Sequence, residues 1–179
     1  MKKIIIGLLA ALLFYASCYA QKGSSYIGAG ADFGIPTGES ANNVKAGMGF
    51  YVKALLGVGH SGQVSFTSGY STAKAVAGIP LKTGTAPFLV GYRANFNGFF
   101  VEPQLGYAII NARFEGIEDV APPEQAQGGL VMWAAGIGYV FNNKIEVGAR
   151  YQSGSNNGGT WTSFGLRLGY NFSLNGSKK

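Results

Sequence analysis

Charge is scarce in this chain of 179 residues. Asp, Glu, Lys and Arg together make up 12% of it, about half of the ~25% usual for soluble domains. A soluble fold built from it would struggle to coat its own surface. Cysteine and histidine occur once each, as Cys18 and His60. No Cys/His constellation for a metal is therefore available. Lys and Arg outnumber the acids, giving a formal net charge of +6, but they form no cluster that would mark a nucleic-acid surface. Beyond residue 20, no stretch reaches the ~18 uninterrupted apolar residues of a spanning helix.

Glycine and aromatics are abundant. There are 29 glycines, 12 Phe and 10 Tyr, against a usual glycine share of ~7%. Aromatics at 13% exclude a disordered tail. The glycines oppose a helical bundle, and they lack collagen's period of three.

The first twenty residues read as a targeting segment. Lys2 and Lys3 precede an apolar run over residues 4–15, and Ala16-Ser17-Cys18-Tyr19-Ala20 supplies small residues for cleavage. This pattern predicts a secretory signal peptide at 1–20, cut after Ala20, and a single domain over 21–179. A membrane anchor is a rival, for which the run is short. A lipoprotein signal is another, with Cys18 acylated, but Tyr15 stands where Leu is usual. The domain from residue 21 onward has no cysteine and so no disulfide.

Alternation of period two dominates the rest. It predicts eight strands, at 24–35, 44–58, 63–71, 85–95, 99–111, 129–141, 145–153 and 161–172. Most reach the ~9–11 residues that carry a tilted strand across a bilayer. Short turns at 59–62, Asn97-Gly98 and Asn142-Asn143 alternate with longer connections at 36–43, 72–84, 112–128 and 154–160. Long and short connections in strict alternation fit an even-stranded up-and-down barrel.

Strand parity carries more information than strand number. One face collects Ile27, Phe33, Phe50, Val52, Val101, Leu105, Ile137, Leu166 and Leu168, and the other collects glycine and polar residues. Eight charged residues fall in strands: Asp32, Lys45, Lys53, Arg93, Glu102, Glu146, Arg150 and Arg167. All eight share the glycine-bearing face. Alternation alone does not say which face points outward. A soluble lipocalin-like barrel or sandwich would put the apolar face inside. Eight strand charges are too few to solvate an exterior, and glycine suits a narrow bore. A charge facing lipid at mid-membrane costs ~2–4 kcal/mol. The reading adopted is all-β: an eight-stranded antiparallel transmembrane barrel, with the charges inside. Its termini and short turns then lie in the periplasm and its long loops outside. Phe96, Phe99, Phe141, Tyr170 and Phe172 would form one aromatic girdle, with Tyr70, Trp133, Tyr151 and Trp161 near the outer rim.

The chain from residue 21 onward resembles the small OmpA/OmpX-type outer-membrane barrels of the outer membrane protein beta-barrel domain family. The similarity rests on the eight strands and on residues 87–107, PFLVGYRANFNGFFVEPQLGY. Residues 163–170, SFGLRLGY, resemble the C-terminal signal that the barrel assembly machinery reads, with Gly165, Leu168 and Tyr170 in the patterned places and Phe172 just beyond. Such barrels normally end at or near the last aromatic, whereas this chain continues to Lys179. The resemblance implies residence in the bacterial outer membrane among lipid and lipopolysaccharide. It specifies function poorly.

Within the lumen, an Asn97-Gly98 turn would set Phe96 opposite Phe99 and Arg93 opposite Glu102. This predicts an Arg93–Glu102 salt bridge, joined by Glu146, Arg150, Arg167 and Asp32 around the seam. Eight strands leave a bore that side chains fill, which favours a plug over a pore. No catalytic residue, cofactor or metal is expected. His60 and Ser61 sit in a turn without an orienting acid, and Glu39 is isolated. Arg113, Glu115, Glu118, Asp119 and Glu124 lack calcium-loop spacing and read as a solvated loop. The apolar stretch 73–82, with Ala73, Ala75, Val76, Ala77, Ile79 and Leu81, is either a surface for a protein partner or an extension of the barrel wall. The role expected is structural or adhesive, the alternative a narrow passage for small solutes.

Overall fold

A computed structural model describes residues 24–38, 40–58, 61–75, 81–114, 126–156 and 159–174. Eight strands follow one another around a closed antiparallel barrel: β1 (Tyr26–Pro36), β2 (Gly47–Val58), β3 (Gly62–Lys74), β4 (Leu81–Phe96), β5 (Phe99–Phe114), β6 (Ala126–Phe141), β7 (Ile145–Asn156) and β8 (Gly159–Ser173). Each strand pairs with its sequence neighbours, and β1 closes on β8 from Tyr26↔Ser173 to Pro36↔Ser163. Closure leaves no free edge, so every ladder bond has a partner within the sheet, as hydrocarbon requires.

The faces are inverted relative to a soluble protein. Phe50, Leu105 and Leu168 point outward, each at least 60% exposed, whereas Arg93 and Glu146 are 1% exposed. Asn97, with φ 50°, and Gly98, with φ 93°, make the β4–β5 turn, both in the left-handed region that a two-residue hairpin of this hand demands. Phe96 pairs with Phe99 across it. The β6–β7 turn is one residue longer than expected, 142–144, with Asn142 and Asn143 in the same left-handed region at φ 50° and 58°.

The strands depart from the sequence reading mainly at the long-loop end. β3, β4, β5, β6 and β7 extend beyond their expected limits, because backbone pairing continues through small polar residues such as Thr83 and Gly84 after the apolar alternation fades. One consequence is a correction to the loop pattern. Asn156 pairs with Gly159, so only residues 157 and 158 lie between β7 and β8, where a seven-residue loop was expected. At the same end, β2 starts later than expected. The chain after β1 makes a single helical turn, α1 (Ser40–Asn43), within the connection expected at 36–43. Val44 then forms an isolated bridge to Ala75, and β2 begins only at Gly47.

Glycine lets the seam close. A Cβ added to Gly30 would press on the Leu168 carbonyl oxygen and lie 2.6 Å from Gly169 Cα, whereas one added to Gly34 meets nothing within 4 Å. Gly30→Val should therefore lose the faster-migrating folded band in unheated detergent gels, with an overpacking cost of about 1–3 kcal/mol or more, while Gly34→Ala keeps it. Equal mobility of the two variants would refute this account of the seam.

Candidate functional site

The lumen is where the unusual chemistry lies. Four strands deliver one charge each to a common point. Lys53 comes from β2, Arg93 from β4, Glu102 from β5 and Glu146 from β7. The register Gly91↔Gln104 and Ala94↔Val101 sets Arg93 opposite Glu102. Arg93 Nη2 donates to Glu102 Oε2 at 2.6 Å, and Arg93 Nη1 donates to Glu146 Oε2 at 2.8 Å. Lys53 Nζ bridges the same two carboxylates, at 2.9 Å from Glu102 Oε2 and 3.1 Å from Glu146 Oε1. Gln104 Nε2 donates to Glu102 Oε1 at 2.8 Å, and Asn171 Nδ2 to Glu146 Oε2 at 3.4 Å. The Arg93 guanidinium lies over the Phe100 ring, 3.8 Å from its centroid, a cation–π contact that gains strength where water is excluded.

The quartet is formally neutral, with two cations and two anions, and all four residues are at most 3% exposed. Buried ions are tolerated when each is paired and hydrogen-bonded, and here every carboxylate oxygen accepts at least one bond.

Glycine supplies the room. Across the ladders, Lys53 faces Gly28, Glu102 faces Gly136, and Glu146 faces Gly169. The Asn171 side chain occupies the space a Cβ would take at Gly28 and the Tyr51 hydroxyl that at Gly169, while a Cβ on Gly136 would meet nothing closer than 3.7 Å.

Asp32, Arg150 and Arg167 do not join this quartet. They form a second cluster nearer the long-loop end. Asp32 Oδ2 accepts from Arg150 Nη2 at 3.1 Å and from Arg167 Nε at 3.0 Å. Arg167 is the direct cross-seam partner of Asp32 and stacks on the Tyr51 ring at 4.4 Å. The expectation of one network around the seam is therefore replaced by two clusters with Tyr51 between them. Lys45 is the other correction. It is exposed and lies outside β2, because the chain leaving α1 makes only an isolated bridge, Val44 to Ala75, before the strand starts at Gly47; its N–H donates to the Lys74 carbonyl at 2.8 Å.

The clusters divide the lumen into chambers. One chamber, of about 210 Å³, lies at the short-turn end, lined by Gln63, Arg93, Asn95 and Asn171. A second, of about 80 Å³, lies at the long-loop end and includes Asp32, Arg150 and Arg167 in its wall. No residue lines both. The gap beside the quartet is about 10 Å³, room for about one water molecule at most.

Several luminal residues had no place in the sequence reading. Leu89, Ala108, Leu130, Met132 and Ala134 form an apolar cluster on the inner wall, with Ile110 and Trp161 packed against it. Trp161 therefore belongs to the lumen and not to the outer girdle. Its odd position in β8 carried that signal, since Leu166 and Leu168 face lipid from even positions. Trp133 and Tyr151 do lie together on the outer face, with ring centroids 5.6 Å apart. Of the assembly-signal residues, Gly165 is luminal, and Leu168, Tyr170 and Phe172 are exposed on the outer face toward the short-turn end.

The segment expected to be a signal peptide, Glu39, His60, the acidic residues of 115–125 and the tail from 175 lie outside the described residues, as do 76–80 of the apolar stretch. Among the described residues, no group of His, Cys, Asp and Glu could hold a metal ion.

Removing one member of the quartet leaves an unmatched buried charge, at a cost of about 3–5 kcal/mol. Glu146→Ala should accordingly unfold at markedly lower denaturant concentration. Adding Lys53→Met, which leaves Arg93 and Glu102 as a neutral pair, should recover part of the loss; a double variant weaker than the sum of the two single losses would contradict the pairing.

Comparison with known proteins places this architecture. The fold is similar to Ail, the attachment invasion locus protein of Yersinia pestis, at TM-score 0.64 and 15% identity over 84% of this chain and 99% of that one. A second structure of Ail, in complex with the heparin analogue sucrose octasulfate, gives TM-score 0.66 and 16% identity over the same shares. The N-terminal β-barrel domain of OprF from Pseudomonas aeruginosa matches at TM-score 0.61 and 15% identity, over 84% and 99%. At such identities the likeness is one of fold. No curated protein sequence matches the chain. The family model described as the outer membrane protein beta-barrel domain matches residues 6–172. With a closed eight-stranded barrel, a lipid-facing apolar exterior and a charged interior, the chain is a bacterial outer-membrane protein and belongs to the outer membrane protein beta-barrel domain family.

Proposed function

We propose that this barrel is a non-catalytic surface protein whose interior is a fixed plug and whose long-loop end is its working face. The observation that carries the reading is the Lys53–Arg93–Glu102–Glu146 quartet, which leaves about 10 Å³ of space where a channel would be narrowest. Charges that satisfy one another in a filled bore act as a structural cross-brace between four strands. All three connections at one end are short, at 59–61, 97–98 and 142–144, whereas three of the four at the other end are longer, at 37–46, 75–80 and 115–125, which supports an orientation with the short turns and both termini in the periplasm. Leu168, Tyr170 and Phe172, exposed on β8, are suited to recognition by the barrel assembly machinery. Outer-leaflet lipopolysaccharide then surrounds the upper wall.

The surface role is assigned to residues 73–82. β3 ends at Lys74 and β4 begins at Leu81, with Lys74 paired opposite Lys82. Apolar residues between two basic ones suit a partner with both apolar and anionic groups. Ail, a structural relative, has been crystallised with a heparin analogue, which supplies a probe. The alternative, a narrow passage for small solutes, draws on the two chambers that flank the quartet.

Planar-bilayer recordings separate the two readings. The unmodified mature protein should pass no steady current, and Arg93→Ala or Glu102→Ala should produce discrete conductance steps; steady current from the unmodified barrel would favour the passage instead. For the surface role, folded protein should be retained on immobilised heparin and lose retention when residues 73–82 are deleted, with the heat-dependent gel shift preserved. Retention untouched by the deletion would refute the assignment to this segment.

A further inference from the structure

The outer chamber holds charge that the protein itself leaves unanswered. Asp32 is the one carboxylate bonded to both Arg150 and Arg167, so this cluster carries a formal excess of one positive charge. Arg150 is 4% exposed, yet its Nε and Nη1 have no hydrogen-bond partner. Buried guanidinium donors are costly to leave unmade. Gln152 Oε1, on the same chamber wall, is also unpartnered, while Gln152 Nε2 donates to Ser163 Oγ at 2.9 Å. The four-charge quartet below has no such deficit: every member is bonded within it.

The wall changes character toward the long-loop end. Ile110 of β5, Met132 of β6 and Trp161 of β8 line it there, backed by Leu130 and Ala134, while Thr67, Ser71, Thr83 and Thr85 line the β3–β4 side. The chamber therefore combines cationic hydrogen-bond donors with an apolar surface nearer the mouth and a hydroxyl-bearing third side. Its volume is about 80 Å³, which corresponds to about five to eight water molecules at ~10–15 Å³ each. A ligand with a similar number of heavy atoms fills it. A concave apolar wall with a few convergent polar groups is the usual form of a small-molecule site.

We propose that this chamber binds a small carboxylate with a short apolar tail, the carboxylate on the guanidinium groups of Arg150 and Arg167 and the tail against Ile110, Met132 and Trp161. A fork of guanidinium N–H groups matches carboxylate geometry. A bare inorganic anion would leave the apolar wall uncovered, and a neutral or cationic molecule would leave the arginine donors unanswered. The site goes beyond the surface role proposed above and does not depend on it, since residues 73–82 contribute only Ala73 to the chamber wall.

Trp161 gives a built-in reporter. The chain has two tryptophans, so Trp133→Phe makes Trp161 the sole emitter. The mature protein carrying that change is refolded into phosphatidylcholine bilayers, and sodium hexanoate is titrated while Trp161 emission is followed. A saturable response is expected, weaker for acetate and absent for hexanol and hexylammonium. Arg150→Gln should weaken hexanoate binding by about tenfold or more, the loss of a charge-assisted hydrogen bond. Asp32→Asn, which removes the competing carboxylate, should tighten it several-fold. The opposite signs matter: a general loosening of the lumen would shift both variants the same way and would overturn the proposal. A linear response shared by hexanoate and hexanol is partition into lipid and also overturns it, as does hexanoate binding that Arg150→Gln leaves unchanged. Should Arg150→Gln fail to give the folded gel band, Arg167→Gln carries the same test, with weakened binding expected and unchanged binding fatal to the assignment.

Discussion

A sheet placed in hydrocarbon has to close on itself, because each unpaired N–H or C=O facing lipid costs several kcal/mol. The rest of this structure follows from the way β1 meets β8. Eleven consecutive residue pairs join the two strands, and at Gly30 the backbones approach too closely for a side chain. Closure with eight strands fixes a bore that side chains just fill. Within it a long side chain needs bare backbone beside it, which the ladders provide by setting glycines across from Lys53, Glu102 and Glu146. The high glycine content and the scarcity of charge are thus two sides of one constraint. Few charges can be housed, and most of them have a glycine directly across a ladder, Arg93 being the exception between Gln63 and Glu102.

That geometry also explains why the interior charges fall into two groups with different properties. The lower four come from four strands spread around the wall and meet with equal numbers of each sign. The upper three come from β1, β7 and β8, adjacent strands at the seam, and have an unequal number. Balanced charges from across the bore lock the lumen. Unbalanced charges on one side of it leave donors unpartnered beside a chamber that also has apolar residues in its wall.

Much of this was legible in the sequence because parity is a strict code. A strand residue faces in or out according to odd or even position, so the placement of Asp32, Lys53, Arg93, Glu102, Glu146, Arg150 and Arg167 in the lumen needed only strand limits. The Arg93–Glu102 contact needed one more fact, the two-residue turn at Asn97-Gly98. What could not be read required knowledge of register between strands distant in sequence. The pairing of Lys53 with Glu102 and Glu146, the split of the charges into two clusters and the glycines facing them are all of this kind. Lys45 was misplaced because its strand was extended through residues that belong to the mouth. Trp161 was misjudged by residue type when its own parity pointed inward. α1 left no trace, since a single turn of Ser-Ala-Asn-Asn has no periodicity to detect.

The segment that holds α1 has a structural consequence. At the end of the seam the Thr37 N–H donates to the Thr162 carbonyl at 3.0 Å, the Thr162 hydroxyl donates to the Thr37 carbonyl at 2.6 Å, and Ser40 Oγ accepts from the Thr162 N–H at 3.1 Å. The connection between the first two strands is thereby tied to the last one. It behaves as a latch over the join, and it has nothing to grip until β8 has arrived. It is not free to drift in length or sequence without loosening the one place where the cylinder was open.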